Sequence, residues 1–362
     1  MIRLLIAEDS LTVQRVLTHL LSGEPNIEIV GIASDGEEAV RMCKELRPDL
    51  MTMDIFMPKL NGLEATRKIM SECPTRIVVI SSMVNAPDTK FAFEAMRAGA
   101  IDVIEKPVGI LSGKYQEIKK ELLRIIKSSI KTRPDAQLSW LPSQIADAPW
   151  IKPAKPASVP PSEIPKPPDE NAPLELICIG GSTGAPTVIV EILSQLPKEY
   201  PIPIIVAQHI SKGFAEKMAD WLNSAISLDV RMASEHTKLR PGLVLVCPDH
   251  KHLRFVGKDQ IVLSNPTGQG GHIPNIDMLF QTVAEHYGAS AVGVILSGMG
   301  KDGSSGLLKM RQKQAYTIGQ NEETSVVYGM NRVASEIGAV HVERSPIGIA
   351  NTLVELGEKR HS

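Results

Sequence analysis

Between Pro134 and Pro173 the chain is dense in proline, including "KPAKPASVPPSEIPKPPDEN", and sustains neither the helical nor the strand period of apolar residues. A tract of that composition cannot bury enough apolar surface to offset the entropy of ordering it, so it reads as a semi-extended linker. That tract divides a chain of 362 residues. We place a first domain at 1–125, the linker at 126–173 and a second domain at 174–362, each domain within the usual size range.

In the first domain, apolar runs recur before acidic or polar turns: "RLLIAEDS", "IEIVGIASDG", "PDLMTMDIFMP", "RIVVISSM" and "AIDVIEKPV". Amphipathic stretches separate them, and the first puts Val13, Val16, Leu17, Leu20 and Leu21 on one helical stripe. Alternating buried strands and helices predict a doubly wound parallel sheet of the α/β class. Glu8, Asp9, Asp54, Ser81 and Lys106 all fall where a strand ends, and in such a sheet those ends share one edge. Three carboxylates gathered there repel one another unless a hard cation intervenes, and an oxygen-lined acidic site beside a lysine suits Mg²⁺ and phosphate.

The order "AEDS", "MDIFMPKLNG", "SS", "EKP" resembles the response-regulator receiver domain, a flavodoxin-like fold. The resemblance implies that Asp54 accepts a phosphoryl group from a histidine kinase. It also implies that Asp9 and Asp54 hold Mg²⁺ with the Phe56 carbonyl, that Glu8 acts through water, and that Ser81 and Lys106 contact the phosphate. Two positions depart from the common pattern: the acidic pair is Glu-Asp, and Val103 stands where an aromatic residue often sits.

The second domain opens with "LELICIGGSTGAPTVIVEILSQL", a strand, a glycine-rich turn and a helix with Val188, Ile189, Ile192, Leu193 and Leu196 on its stripe. Ser182 is at the tip of that turn. Gly180 and Gly184 relieve it of Cβ atoms and Pro186 suits a first helical turn, so the helix's positive end should favour an oxyanion beside Ser182. The letters also satisfy G-x-S-x-G, but a turn of this kind equally cradles a phosphate.

A serine hydroxyl needs a histidine base and a group to orient it. "PIPIIVAQHISKGF" is a strand run that stops at Gln208-His209, and "ASAVGVILSGMGKDGSSG" is another that opens into a loop carrying Asp302. Strand ends of a second, Rossmann-like parallel sheet would bring Ser182, His209 and Asp302 together. His272 in "GQGGHIPNID" is the serious rival to His209. His236 and His250 fall in surface turns, His252 begins a hairpin-like strand, His286 lies on a helix, and His19, His341 and His361 are poorly placed.

Five blocks in order, "IGGSTGAP", "AQHISKGF", "PDHKHL", "HIPNIDMLF" and "LSGMGKDGSSGL", resemble the catalytic domain of the chemotaxis protein-glutamate methylesterase (CheB) family. The resemblance implies Ser182 as nucleophile, His209 as base and Asp302 as orienting acid, with Thr183 and Met299 in the surroundings. It implies hydrolysis of glutamate γ-methyl esters, and deamidation of glutamines, on methyl-accepting chemotaxis receptors, giving sensory adaptation. It further implies phosphorylation control by the receiver, and no cofactor for the ester chemistry. The family turn usually reads Gly-Ala-Ser-Thr-Gly-Gly; here it reads Gly-Gly-Ser-Thr-Gly-Ala. Two other readings stay open: an output module that only binds a phosphorylated ligand, and a hydrolase of small free esters.

Lysine plus arginine number 39 against 41 aspartate plus glutamate, a formal net charge of -2. That balance, without a basic recognition-helix segment, gives no general pull toward nucleic acid or anionic membrane. No signal-peptide core follows the N-terminus and no run reaches the roughly 20 apolar residues of a spanning helix, which predicts a cytoplasmic protein without membrane insertion. Cys43, Cys73, Cys178 and Cys247 are far apart in sequence without a CxxC pair, and read as reduced core thiols.

Overall fold

The computed structural model describes residues 1–82, 86–107 (86–90 in backbone only), 115–130, 173–235, 237–266 and 271–359. The chain forms two compact units, Met1–Lys152 and Pro153–Ser362. Most of the expected linker, 131–172, lies outside the described residues, as do His236 and His361.

The first unit alternates strands and helices: β1 Ile2–Ala7, α1 Leu11–Leu21, β2 Ile27–Ala33, α2 Gly36–Leu46, β3 Leu50–Asp54, α3 Gly62–Glu72, β4 Arg76–Ser81, α4 Ala86–Arg97, β5 Asp102–Glu105 and α5 Tyr115–Ser129. The sheet order is β2-β1-β3-β4-β5, and every pairing is parallel. Leu4, Ile6, Leu50, Val78, Ile80 and Ile104 pack against the α1 stripe of Val16, Leu17, Leu20 and Leu21. At about 1.5–3 kcal/mol for each fully buried aliphatic side chain, that face is the main reason a helix forms here. Side chains cap the starts of α2 and α3: the Asp35 carboxylate accepts from the Glu38 amide at 2.8 Å, and the Asn61 side chain from the Glu64 amide at 2.9 Å.

One boundary moves. α5 runs through Ser129, past the expected end of the domain at 125, because Ile118, Leu122, Ile125 and Ile126 form one buried stripe that continues across that position. A helix cannot be cut where its apolar face is still packing.

The second unit contains β6 Leu176–Gly181, α6 Ala185–Leu193, β7 Ile204–Gln208, α7 Ala215–Ala225, β8 Asp229–Met232, β9 Leu243–Val246, the hairpin strands β10 His252–Phe255 and β11 Ile261–Ser264, and α8 Ile276–His286. It continues with a short 3₁₀ turn Gly288–Ser290, β12 Ala291–Ile295, α9 Ser304–Gln312, β13 Tyr316–Gln320, α10 Met330–Glu336, β14 Val342–Arg344 and α11 Pro346–Lys359. Its seven-stranded sheet has the order β14-β13-β12-β6-β7-β9-β8, again parallel throughout. The chain starts at β6, builds outward through β7, returns to β12 on the other side of β6, and builds outward the opposite way. The reversal between β6 and β12 is a switch point, where diverging loops open a crevice at the carboxyl ends of strands. Both units are thus doubly wound α/β sheets.

Along α6, Val188, Ile189, Ile192 and Leu193 are buried as the stripe predicts, but Thr187 and Val190 are buried too. The helix is covered on more than its sheet face, since α11 packs along it.

Candidate functional site

Three adjacent strands, β12, β6 and β7, deliver Asp302, Ser182 and His209 to the switch-point edge. Ser182 and Thr183 are each 1 % exposed, while Met299 nearby in sequence to Asp302 is 38 % exposed. Gly184, at φ 80°, ends the turn in the left-handed region and caps α6, and Pro186 follows in its first turn. Gly180 differs from expectation: it is a regular strand residue of β6, and its Cβ is excluded because it would strike Ile276 of α8. The Ser182 amide donates to the Ser297 carbonyl at 2.9 Å, so that N–H is already committed.

His209 Nε2 and Asp302 Oδ2 are 2.8 Å apart, both side chains buried. His209 Nδ1 is buried without a hydrogen-bond partner, which leaves it as the ring nitrogen available to a hydroxyl. Asp302 is held from the other side by backbone: the Ile276 amide donates to Oδ2 at 3.0 Å, the Asp277 amide to Oδ1 at 3.0 Å, and the Gly303 amide to Oδ1 at 3.1 Å. The carboxylate therefore sits on the positive end of α8. Burial pushes its pKa up, but the His209 hydrogen bond and charge, with the Ile276 and Asp277 amides, outweigh burial and hold it below the usual carboxylate value.

Four supporting groups gave little signal in sequence. The Gln208 carboxamide donates to the Ser182 carbonyl at 2.7 Å and to the His209 carbonyl at 2.9 Å. Ser297 Oγ donates to the Thr183 carbonyl at 2.8 Å and accepts from the Val327 amide at 2.9 Å. Gln320 Oε1 accepts from the Ser297 amide at 2.8 Å. His252, at the start of the hairpin as expected, accepts from the Asn275 amide through Nδ1 at 3.1 Å, just before α8. Gln208 and Ser297 lie inside the very runs that flagged the site, but side-chain amides and hydroxyls are too common in loops to be singled out by type.

His272, the rival to His209 in the sequence, lies beside it. Its ring stacks on His209 with centroids 4.3 Å apart and planes at 18°, covering one face of the imidazole whose Nε2 is paired with Asp302.

Space around Ser182 is set by Gly298. A Cβ there would lie 2.7 Å from Ser182 Cβ and 3.2 Å from its amide nitrogen, and would strike Met330 Sδ. Gly298→Ala is expected to cost about 1–3 kcal/mol of stability by overpacking and to lower turnover as the serine turn is displaced. Urea unfolding and ester hydrolysis rates measured on the same preparation check it; a variant matching wild type in both would refute it.

The first unit carries the second cluster. Glu8 and Asp54 are buried, Asp9 is exposed, and one oxygen from each lies within 4.8 Å of the others. Lys106 Nζ is 2.8 Å from Asp54 Oδ2 and 3.0 Å from Glu8 Oε2. Burial and repulsion from Asp54 raise the Glu8 pKa to about 7 against the opposing pull of Lys106 and the Ser10 amide. Burial likewise raises Asp54, with Lys106 and the Phe56 amide opposing. Such crowding of hard oxygen donors, with two carboxylates strained toward protonation, fits a divalent hard cation. Ser81, 1 % exposed, ends β4, and its carbonyl accepts from the Lys106 amide at 2.8 Å. Phe56 is 45 % exposed just beyond Asp54, and Val103 is fully buried in β5.

Among the described residues no helix is long and apolar enough to cross a membrane.

Two doubly wound parallel sheets, each with polar side chains gathered at its strand ends, give the class of a receiver-type domain followed by a second, Rossmann-like α/β domain. Family models agree: residues 4–112 match the response regulator receiver domain, and residues 177–353 match CheB methylesterase. A protein-glutamate methylesterase/protein-glutamine glutaminase 1 of Syntrophus aciditrophicus is 39% identical over 358 residues, covering 98% of each chain. One numbered 4 from Myxococcus xanthus is 37% identical over 343 residues, covering 94% of this chain and 92% of that one. Of solved structures, the Thermotoga maritima CheB methylesterase catalytic domain is 32% identical, with a TM-score of 0.48, over 51% of this chain and 98% of that one. The chain belongs to the protein-glutamate methylesterase/protein-glutamine glutaminase family and is a hydrolase.

Proposed function

We propose that this chain is a phosphorylation-activated serine esterase that hydrolyses glutamate γ-methyl esters, and deamidates glutamines, on methyl-accepting chemotaxis receptors in sensory adaptation. The observation that carries the reading is the buried His209–Asp302 pair at the same strand edge as Ser182. Ser182 Oγ attacks the ester carbonyl as His209 Nδ1 takes its proton. The charge on the carbonyl oxygen is favoured by the positive end of α6, whose N-cap is Gly184. His209 returns the proton to the departing methanol, then activates a water that hydrolyses the acyl-enzyme to a free carboxylate. Asp302 fixes the tautomer through Nε2 and stabilises the imidazolium. Thr183 and Met299 border the reacting centre.

In the receiver, Asp54 is the phosphoryl acceptor, with a chemotaxis histidine kinase as donor. Mg²⁺ would be held by Glu8, Asp9 and Asp54 with the Phe56 carbonyl, and would neutralise phosphoryl charge. Lys106 and Ser81 would contact the phosphoryl oxygens, and the protein would act in the cytoplasm on the receptors' cytoplasmic face. Asp54→Asn is expected to leave a low basal rate of methanol release from methylated receptor that a small-molecule phosphodonor cannot raise. A variant stimulated as strongly as wild type would place control elsewhere. Equal turnover of small free esters, indifferent to phosphodonor, would favour a general esterase.

A further inference from the structure

Cys43 and Cys73 are 30 positions apart and gave no motif, yet the fold brings their sulfurs to 3.4 Å, with the Cys73 thiol donating to Cys43 Sγ. Cys43 lies on α2 and is fully buried; Cys73 follows α3 directly and is partly exposed. Packing of α2 on α3 holds them, and the Lys44–Glu72 ion pair, one residue further along one chain segment and one back along the other, fastens the same two helix ends. Thr75 Oγ1 completes the cluster, 3.2 Å from Cys43 Sγ and donating to the Cys73 carbonyl at 2.8 Å.

We propose that Cys43 and Cys73 are a redox-active dithiol that a hydroperoxide closes to a disulfide, tying α2 to the end of α3. The sulfurs have to close from 3.4 Å to the roughly 2.05 Å of an S–S bond. The chemistry suits the setting. Donation from the Cys73 thiol, against the effect of burial, and the nearby charges of Arg47 and Lys44 lower the Cys43 pKa, while Cys73 is raised as the donor of the pair. The lowered Cys43 pKa raises its share of thiolate, the form that oxidation requires.

In the first step a thiolate sulfur attacks one peroxide oxygen, forming an S–O bond and breaking O–O, and the leaving hydroxide takes a proton to become water. The second sulfur, giving up its proton, then displaces hydroxide from the sulfenic sulfur, which leaves as water, and the S–S bond forms. Two thiols and one hydrogen peroxide become one disulfide and two waters; each sulfur loses one electron and each peroxide oxygen gains one. Cys178 and Cys247 provide an internal contrast, both buried in the second unit's core and both held protonated by burial.

The test treats the reduced full chain with hydrogen peroxide, removes the oxidant, unfolds, alkylates and maps peptides by mass. The expected result is a linked Cys43–Cys73 peptide pair, lighter by two hydrogens and reopened by dithiothreitol, with Cys178 and Cys247 alkylated. Titratable thiols should fall from four to two. Cys73→Ser should lose the linked species, and Cys43→Ala serves the same purpose should that variant fail to fold. The proposal is overturned if wild type yields no linked pair, if Cys43 ends as sulfinic acid instead, or if all four thiols oxidise alike.

Discussion

Replacing Ser182 with alanine is expected to reduce methanol release from methylated receptor by a factor on the order of 10⁶ in kcat, the size of loss seen when a serine nucleophile is removed. The substitution is unusually clean. Among the described residues, the hydrogen bonds of residue 182 come from its backbone: its amide donates to Ser297, its carbonyl accepts from Gln208, and the Ala185 amide donates to that same carbonyl at 3.0 Å. Alanine keeps all three and deletes one oxygen. The variant should therefore fold as wild type by circular dichroism and accept a phosphoryl group at Asp54 at an unchanged rate. Turnover within tenfold of wild type would remove Ser182 from the mechanism.

Asp302→Asn is expected to lower kcat by about 10⁴, with little change in KM, because the amide neither fixes the reacting imidazole tautomer nor balances its charge. It should also destabilise the domain by about 1.5–3 kcal/mol at neutral pH. One oxygen cannot replace two that accept from the Ile276, Asp277 and Gly303 amides and from His209. The pH dependence has a definite sign. The folded-state pKa of Asp302 is depressed, so its contribution to stability is complete above the unfolded value of about 3.9 and is lost as pH falls through the folded value. The stability gap between wild type and variant should be widest at neutral pH and narrow below about pH 4. Denaturant midpoints across pH measure it; a gap that widens in acid would show that the carboxylate is not what the helix end holds.

Much of both sheets was legible because buried parallel strands read as near-continuous apolar runs, and such runs end at identifiable polar residues. Glu8, Asp54, Ser81 and Lys106 in one unit, and Ser182 and His209 in the other, were reached that way. Asp302 needed the same logic carried some residues further along a loop. Strand order was not legible: that β6 sits between β12 and β7 follows from crossovers fixed by long-range packing, which leave no local mark. The edge strands β8 and β14 and the interior strands β9 and β13 were not legible either, each being only three to five residues long. Nor could sequence say that Asp302 caps α8, since residues 276 and 302 meet only through the fold, or that the His272 ring would stack on His209. The limit is plainest for Cys43 and Cys73, read as separate core thiols because nothing in their spacing reveals that one helix ends beside another.

The Gln208 carboxamide limits how the two loops that carry Ser182 and His209 can move. By gripping the carbonyls of Ser182 and His209 together, it welds two neighbouring loops into one stiff part. Neither loop can retract without stranding a buried amide, a penalty of about 1–3 kcal/mol. The two loops therefore travel as one part, so that any displacement of the Ser182 turn carries the backbone at His209 with it.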